Sequence, residues 1–196
     1  MTVLGITGGI GAGKSRILDL LKECYGAEII EADQVARQLE EPGQAGYEQL
    51  VTAFGAEILD GQGKLERAAF AARIFQDEAA LMQVNAIIHP LTWQAIREQI
   101  AASRADLIVI ESALFDQKSR ELCQKLIYVD TSKENRISRL MADRHYTREK
   151  CLDIMKNQPG REEFLAVADF VIDNNKTIEA VRQQLEDMLQ KIRTEG

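Results

Sequence analysis

The chain has 196 residues, 45% of them hydrophobic, and a net charge of −7. That length and apolar content suit one α/β domain with modest insertions. The acidic balance argues against a general nucleic-acid surface, so any phosphate binding must be local. Cys24, Cys123 and Cys151 are odd in number and lack metal-ligand spacing. They read as free thiols in a reducing compartment, the cytoplasm. No apolar run approaches the roughly 20 residues a membrane span needs, so no membrane partner is expected.

The chain opens on a short apolar run, residues 3–7, followed by Gly8-Gly9-Ile10-Gly11-Ala12-Gly13-Lys14-Ser15. Apolar residues then recur at Ile17, Leu18, Leu20 and Leu21, one face of a helix. Strand, glycine loop and helix in that order fit the phosphate-binding P-loop, Gly-x-x-x-x-Gly-Lys-[Ser/Thr]. Glycines permit positive φ and bring backbone N–H groups close to phosphate oxygens. The helix that follows turns its positive end to the same anion. Gly9, Gly11, Ala12, Gly13, Lys14, Ser15 and Arg16 are therefore the candidate nucleotide contacts. Lys14 is placed at the β- and γ-phosphates, and the Ser15 hydroxyl on Mg²⁺.

Five apolar runs read as buried parallel strands: residues 3–7, 28–32, 107–111, 126–130 and 169–173. Helical patterns lie between them. The fold class is α/β: a five-stranded parallel sheet of the P-loop NTPase type with helices on both faces. Ligands of such sheets bind at the carboxyl ends of the strands. Those ends carry Gly8, Asp33, Glu111, Asp130 and Asp173-Asn174-Asn175.

Two intervals are too long for simple crossovers. Residues 34–103 read as a mostly helical substrate-binding insertion, with turns at Glu41-Pro42-Gly43 and Asp60-Gly61-Gln62-Gly63. Asp33 opens it, either as the base that orients an acceptor hydroxyl or as the N-cap of a helix over 34–39. His89 precedes Pro90, read as the first residue of a further helix. It is either a substrate contact on a fixed loop or a structural histidine. Tyr47 and Trp93 read as core packing rather than adenine stacking.

Residues 132–167 read either as a lid that closes over phosphates or as a solvated charged helical pair. Ser132 and Thr147 are the expected N-caps, and Arg136, Arg139, Arg144, Arg148 and Arg161 the basic positions. Residues 1–33, 104–131 and 168–196 form the expected nucleotide-binding core. Glu111 ends a strand and is either on the Mg²⁺ shell or a loop-holding acid. Asp130 is read as capping. The guanine-reading Asn-Lys-x-Asp is absent, since Asn175-Lys176-Thr177-Ile178 lacks the acid. A compact core with an insertion and a basic lid fits a small-molecule kinase better than a GTPase or a large ATPase.

Segments along nearly the whole chain resemble the dephospho-coenzyme A (CoA) kinase family. They are the glycine loop, Ala32-Asp33-Gln34-Val35-Ala36-Arg37, Glu41-Pro42-Gly43, Phe54-Gly55, Gly63-Lys64-Leu65-Glu66-Arg67, Ile74-Phe75 and His89-Pro90-Leu91. Gln158, Arg161 and Ala168-Asp169-Phe170-Val171-Ile172-Asp173-Asn174 complete the set. The resemblance implies ATP-dependent phosphorylation of the ribose 3′-hydroxyl of dephospho-CoA, the last step of coenzyme A synthesis. It implies Asp33 as base and Lys14 on the ATP phosphates. The insertion, with Arg37 and His89, would hold dephospho-CoA; Arg161 is a further substrate candidate and Asn175 would lie near the adenine. A monomer or small homo-oligomer is expected. The chain departs from the usual pattern at Glu31-Ala32-Asp33, Ser15-Arg16, the segment from Glu111 to Asp116, and Asp143-Arg144. Arg139 and Arg144 both remain open as the lid arginine on phosphate.

Overall fold

The computed structural model describes residues 1–195, except the side chains of Arg73, Phe75, Gln76 and Glu195. Phe75 of the Ile74-Phe75 segment thus lies outside the described side chains. The chain divides into two compact units, Met1–Ile29 with Arg104–Gly196, and Ile30–Ser103.

In chain order the first half reads β1 (Thr2–Thr7), α1 (Lys14–Tyr25), β2 (Glu28–Glu31), α2 (Ala32–Leu39), α3 (Ala45–Phe54), α4 (Arg67–Gln76) and α5 (Glu78–Ala102). The second half reads β3 (Leu107–Glu111), α6 (Gln117–Arg120), β4 (Lys125–Asp130), α7 (Lys133–Arg144), α8 (Arg148–Lys156), α9 (Arg161–Val167), β5 (Phe170–Asp173) and α10 (Ile178–Glu195).

The strands form one sheet of order β2-β3-β1-β4-β5. β1 runs parallel to β3 and β4, and β4 runs parallel to β5. Central strands of such a sheet are buried on both faces, and Leu4, Ile6, Ile108, Ile110, Leu126 and Ile127 have no exposed surface. α1 buries Ile17, Leu18, Leu20 and Leu21, the predicted stripe. α10 buries Val181, Leu185, Met188, Leu189 and Ile192 in the same core as Ile127 and Val129. Successive strand residues point to opposite faces, so Tyr128 faces the other way. There the Phe164 ring of α9 stacks on Tyr128, 4.9 Å between centroids and 9° between planes. The sheet is covered on both sides, as expected.

Both predicted caps between β4 and β5 form. Ser132 accepts from the Asn135 N–H at 3.3 Å and Thr147 from the Lys150 N–H at 3.2 Å. α7 and α8 meet through Ile137, Leu140 and Cys151. Arg148 adds a two-bond ion pair to Glu134 at 2.8 and 3.0 Å.

The second unit is helical. Leu50, Ile58, Phe70, Val84 and Ile88 form its core. Gly46 is required where α3 meets α2, because a Cβ there would lie 2.6 Å from the Leu39 carbonyl oxygen. Tyr47 spends its hydroxyl on the Gly63 carbonyl at 2.6 Å, and Trp93 is buried, as the packing reading held.

Two sequence expectations are corrected here. Asp33 is not an N-cap: α2 begins two residues earlier than expected, at Ala32, with Glu31 in the extended cap position. Pro90 does not start a helix but lies inside the 25-residue α5, which Asp77 caps with bonds from Ala79 and Ala80. Pro90 has no N–H to offer the Ala86 carbonyl, which ordinarily ends or kinks a helix. Burial on both sides of it, at Val84 and Ile88 and then at Trp93 and Ile96, carries the helix through. Pro90 itself is exposed, so an alanine there changes no packing. The restored helical bond is worth up to about 3 kcal/mol, offset by about 1 kcal/mol from a freer unfolded chain. Pro90→Ala is therefore expected to raise the denaturant midpoint, a gain of about 1–2 kcal/mol. An unchanged or lowered midpoint would show that α5 suffers no local cost at the proline.

Candidate active site

The loop between β1 and α1 turns on Gly11 and Gly13, at φ 74° and 86°. Both values lie where a side chain is strained, and both glycines also meet close neighbours. A Cβ on Gly11 would sit 2.8 Å from the Arg136 carbonyl oxygen, and one on Gly13 would sit 2.5 Å from Asn174 Nδ2. Gly13 is the N-cap of α1 and offers no side-chain bond, and the first turn holds no acid. The first amides of α1 therefore face the loop without a competing carboxylate, the arrangement that receives an anion.

Three donors converge on the Ala12 carbonyl. They are Thr131 Oγ1 at 2.9 Å, Asn174 Nδ2 at 2.7 Å and Arg139 Nη1 at 3.0 Å. Arg139 also donates to the Asn174 carbonyl at 2.8 Å. Of the two arginines left open, Arg139 thus reaches the loop, whereas Arg144 is exposed at the end of α7.

Lys14 Nζ donates to the Gly8 carbonyl at 2.7 Å and lies 3.3 Å from Glu111 Oε1. Pairing of β1 with β3 sets Ile6 beside Glu111, which brings that carboxylate to the mouth of the loop. Thr7 Oγ1 ties the loop's start to the Ala113 carbonyl at 2.9 Å. Ser15 and Arg16 are exposed on the first turn of α1.

Asp130 does not cap a helix. Its carboxylate takes the Arg161 guanidinium at 2.8 and 2.9 Å, while Ser132 fills the cap position. Tyr128 donates to the same carboxylate at 3.3 Å. Burial, and then the adjacent Asp130 charge, push the Tyr128 phenol up to about 12. It stays a neutral donor through the physiological range. A cleft of about 700 Å³ opens here, lined by Tyr128, Asp130, Lys133, Lys156, Arg161 and Asn175 among others.

Asp33, Arg37 and His89 belong to the helical unit. Asp33 and Arg37 are exposed on α2, and the Arg37 carbonyl accepts from Arg67 at 3.0 Å. His89 Nε2 accepts from Trp93 Nε1 at 3.0 Å, one helical turn on. It stands on a helix, not on the loop expected for it. Thr131 was not anticipated; its only local signal is a hydroxyl directly after a strand.

Comparison with known proteins gives the family. The family model for dephospho-CoA kinase matches residues 2–180. The chain belongs to the dephospho-CoA kinase family. It is 36% identical to the dephospho-CoA kinase of Oceanobacillus iheyensis over 96% of each chain. A solved protein of Thermus thermophilus superposes with a TM-score of 0.83 at 29% identity, covering 97% of both chains. The dephospho-CoA kinase of Campylobacter jejuni shares the fold, with a TM-score of 0.69 at 23% identity over 97% and 96% of the two chains.

In this family member the segment after β5 is tied down by the carboxylate that ends the strand. Asn175 donates to Asp173 Oδ1 from its side chain at 2.6 Å and from its backbone at 3.1 Å. Asn175 Oδ1 in turn accepts from the Ser132 N–H at 2.7 Å and from Asn135 at 3.1 Å. The Asn175 side-chain bond holds the Asp173 carboxyl below the ordinary 3.8. A depressed acid adds stability above its unfolded value and loses it as pH falls through the lower folded value. Asn175→Ala removes the larger cause and is expected to move the Asp173 titration up toward 3.8, read from its side-chain carbon shift. A midpoint that stays where it was would assign the depression to other groups.

Proposed function

We propose that this kinase transfers the γ-phosphoryl group of ATP to the 3′-hydroxyl of the dephospho-CoA ribose, yielding coenzyme A and ADP. The observation that carries the reading is the pinned glycine loop, with the uncapped amides of α1 and Lys14 at its mouth, in a chain of this family. Gly9, Gly11, Ala12 and Gly13 receive the phosphates through their backbone, and Lys14 neutralises the β/γ end. Arg16 and Arg144 add positive charge, and Asn175 lies toward the adenine.

Asp33 orients the acceptor hydroxyl and accepts its proton as the bond to phosphorus forms. Such a base needs no raised pKa, because the proton can leave late. Arg37, His89 and Arg161 contact the acceptor. Residues 34–103 form the dephospho-CoA-binding part, and residues 132–167 the lid.

Ser15 and Glu111 supply a hydroxyl and a carboxylate, hard oxygen donors that fit Mg²⁺. Among the described residues no cluster of three His, Cys, Asp or Glu could hold a metal by itself. That suits an ion which keeps water and takes its remaining ligands from phosphate. When bound, the ion neutralises charge on the phosphates.

A coupled ADP-release assay with mass analysis of the product tests the reaction. ADP formation that depends on dephospho-CoA, with one phosphate gained at the ribose 3′ position, is the expected result. Turnover no greater than with ATP alone would remove the acceptor. Asp33→Ala is expected to bind ATP near normally and lose turnover at least ~100-fold. A loss under ~10-fold would sink the base assignment. Lys14→Ala is expected to lose turnover severely and to lower the melting temperature modestly, because it removes an ion-pair partner of the largely buried Glu111. Near-normal turnover would count against its phosphate role.

A further inference from the structure

Two side chains from distant parts of the chain meet at Ile10. Arg136 Nε donates to the Ile10 carbonyl at 2.8 Å. Gln158 Oε1 accepts from the Ile10 N–H at 2.9 Å and from Arg136 Nη2 at 3.1 Å. The bonds close a ring through one backbone residue, one guanidinium and one carboxamide. Arg136 stands on α7, and Gln158 in the turn between α8 and α9. The Ile10 side chain packs on Ile137, Leu140 and Cys151, so the same helices hold it too.

Gly9 and Gly11 flank Ile10. Glycine neighbours leave a peptide free to rotate unless something outside holds it. A Cβ on Gly9 would fall on the Arg136 guanidinium, so the glycine there leaves room for the clamp.

We propose that Arg136 and Gln158 are positioning residues that fix the Ile10 peptide and hold the loop in the shape that receives nucleotide phosphates. The proposal rests on the reading of this loop as the ATP site. Neither residue needs to touch the nucleotide. A loop ordered beforehand has less freedom to lose on binding, so the effect falls on nucleotide affinity. ATP and ADP share the phosphates involved and respond alike. The acceptor does not.

The test compares the parent enzyme with Arg136→Met, Gln158→Leu and Gln158→Glu. Leucine leaves the Ile10 N–H and Arg136 without their acceptor, and glutamate restores one. ADP and ATP affinity are read by calorimetry, and the dephospho-CoA KM at saturating ATP by turnover. Arg136→Met and Gln158→Leu are expected to weaken ADP and ATP about tenfold, with the dephospho-CoA KM within about twofold. Gln158→Glu is expected within about twofold of the parent in every reading. Nucleotide affinities within about twofold for both apolar variants would overturn the proposal. So would a parallel loss of nucleotide and acceptor binding, the mark of a general structural role. A parent enzyme that binds neither ATP nor ADP would instead overturn the reading of the loop, and the clamp with it.

Should Arg136→Met fail to fold, Gly9→Ala displaces the guanidinium while keeping both clamp residues. Its effect on ADP affinity is expected to shrink in the Gln158→Leu background, because the Arg136–Gln158 bond cannot be lost twice while the Arg136–Ile10 bond remains to be lost. Additive effects would overturn the clamp.

Discussion

The Ala12 carbonyl is the point on which the phosphate loop turns. It accepts from Thr131, Asn174 and Arg139, which come from the ends of β4 and β5 and from α7. A trans peptide sets its carbonyl and the following N–H in opposite directions. Drawing the Ala12 oxygen into the protein therefore turns the Gly13 N–H away from those three donors. A carbonyl oxygen has two lone pairs, so three donors share them. Removing one leaves the oxygen still bonded, and the orientation is over-determined. The loop's shape is thus imposed from outside, by residues more than 100 positions away in sequence.

On the proposed reading of this loop, the same arrangement lets an acidic chain receive a polyphosphate. The net charge of −7 opposes anion binding at long range. Lys14, Arg136 and Arg139 concentrate positive charge at the loop, and the α1 amides add partial charge. Lys14 is held against Glu111 with about a sixth of its side chain exposed. A pair so placed is screened less than a surface pair. A phosphate entering the loop competes for a lysine already aimed at its mouth. The carboxylate then holds that lysine in place, whichever further role it takes with a cation.

Much of this was legible locally. The strand before the glycines, the apolar stripe of α1 and the Ser132 and Thr147 caps follow from periods and end signals spanning a few residues. Strand bounds shifted by one residue at most, within the usual ambiguity of element ends. What stayed hidden was long-range. The Arg136 and Gln158 bonds to Ile10 span 126 and 148 residues, and no local pattern encodes them. Asp130 looked like a cap because Thr131-Ser132 follows it, but its partner Arg161 is 31 residues on. Pro90 misled for the opposite reason: a strong local signal, read as the start of a new helix, was overruled by core packing on both flanks of α5.

The glycine pattern itself carries more than a flexible turn. Gly11 faces the backbone of α7, whose Arg136 carbonyl cannot move without moving the helix. Gly13 faces the ends of the Asn174 and Arg139 side chains, which could move only by giving up their bonds to the Ala12 carbonyl. The nearest atoms to a Cβ on Gly9 are those of the Arg136 guanidinium. The three positions therefore differ in what an added methyl would displace, from a helix backbone to the tip of one long side chain. Positive φ at Gly11 and Gly13 adds a backbone cost that Gly9 does not share. Read this way, the spacing of the motif records the outline of α7 and the segment after β5, the same elements that fix the Ala12 carbonyl.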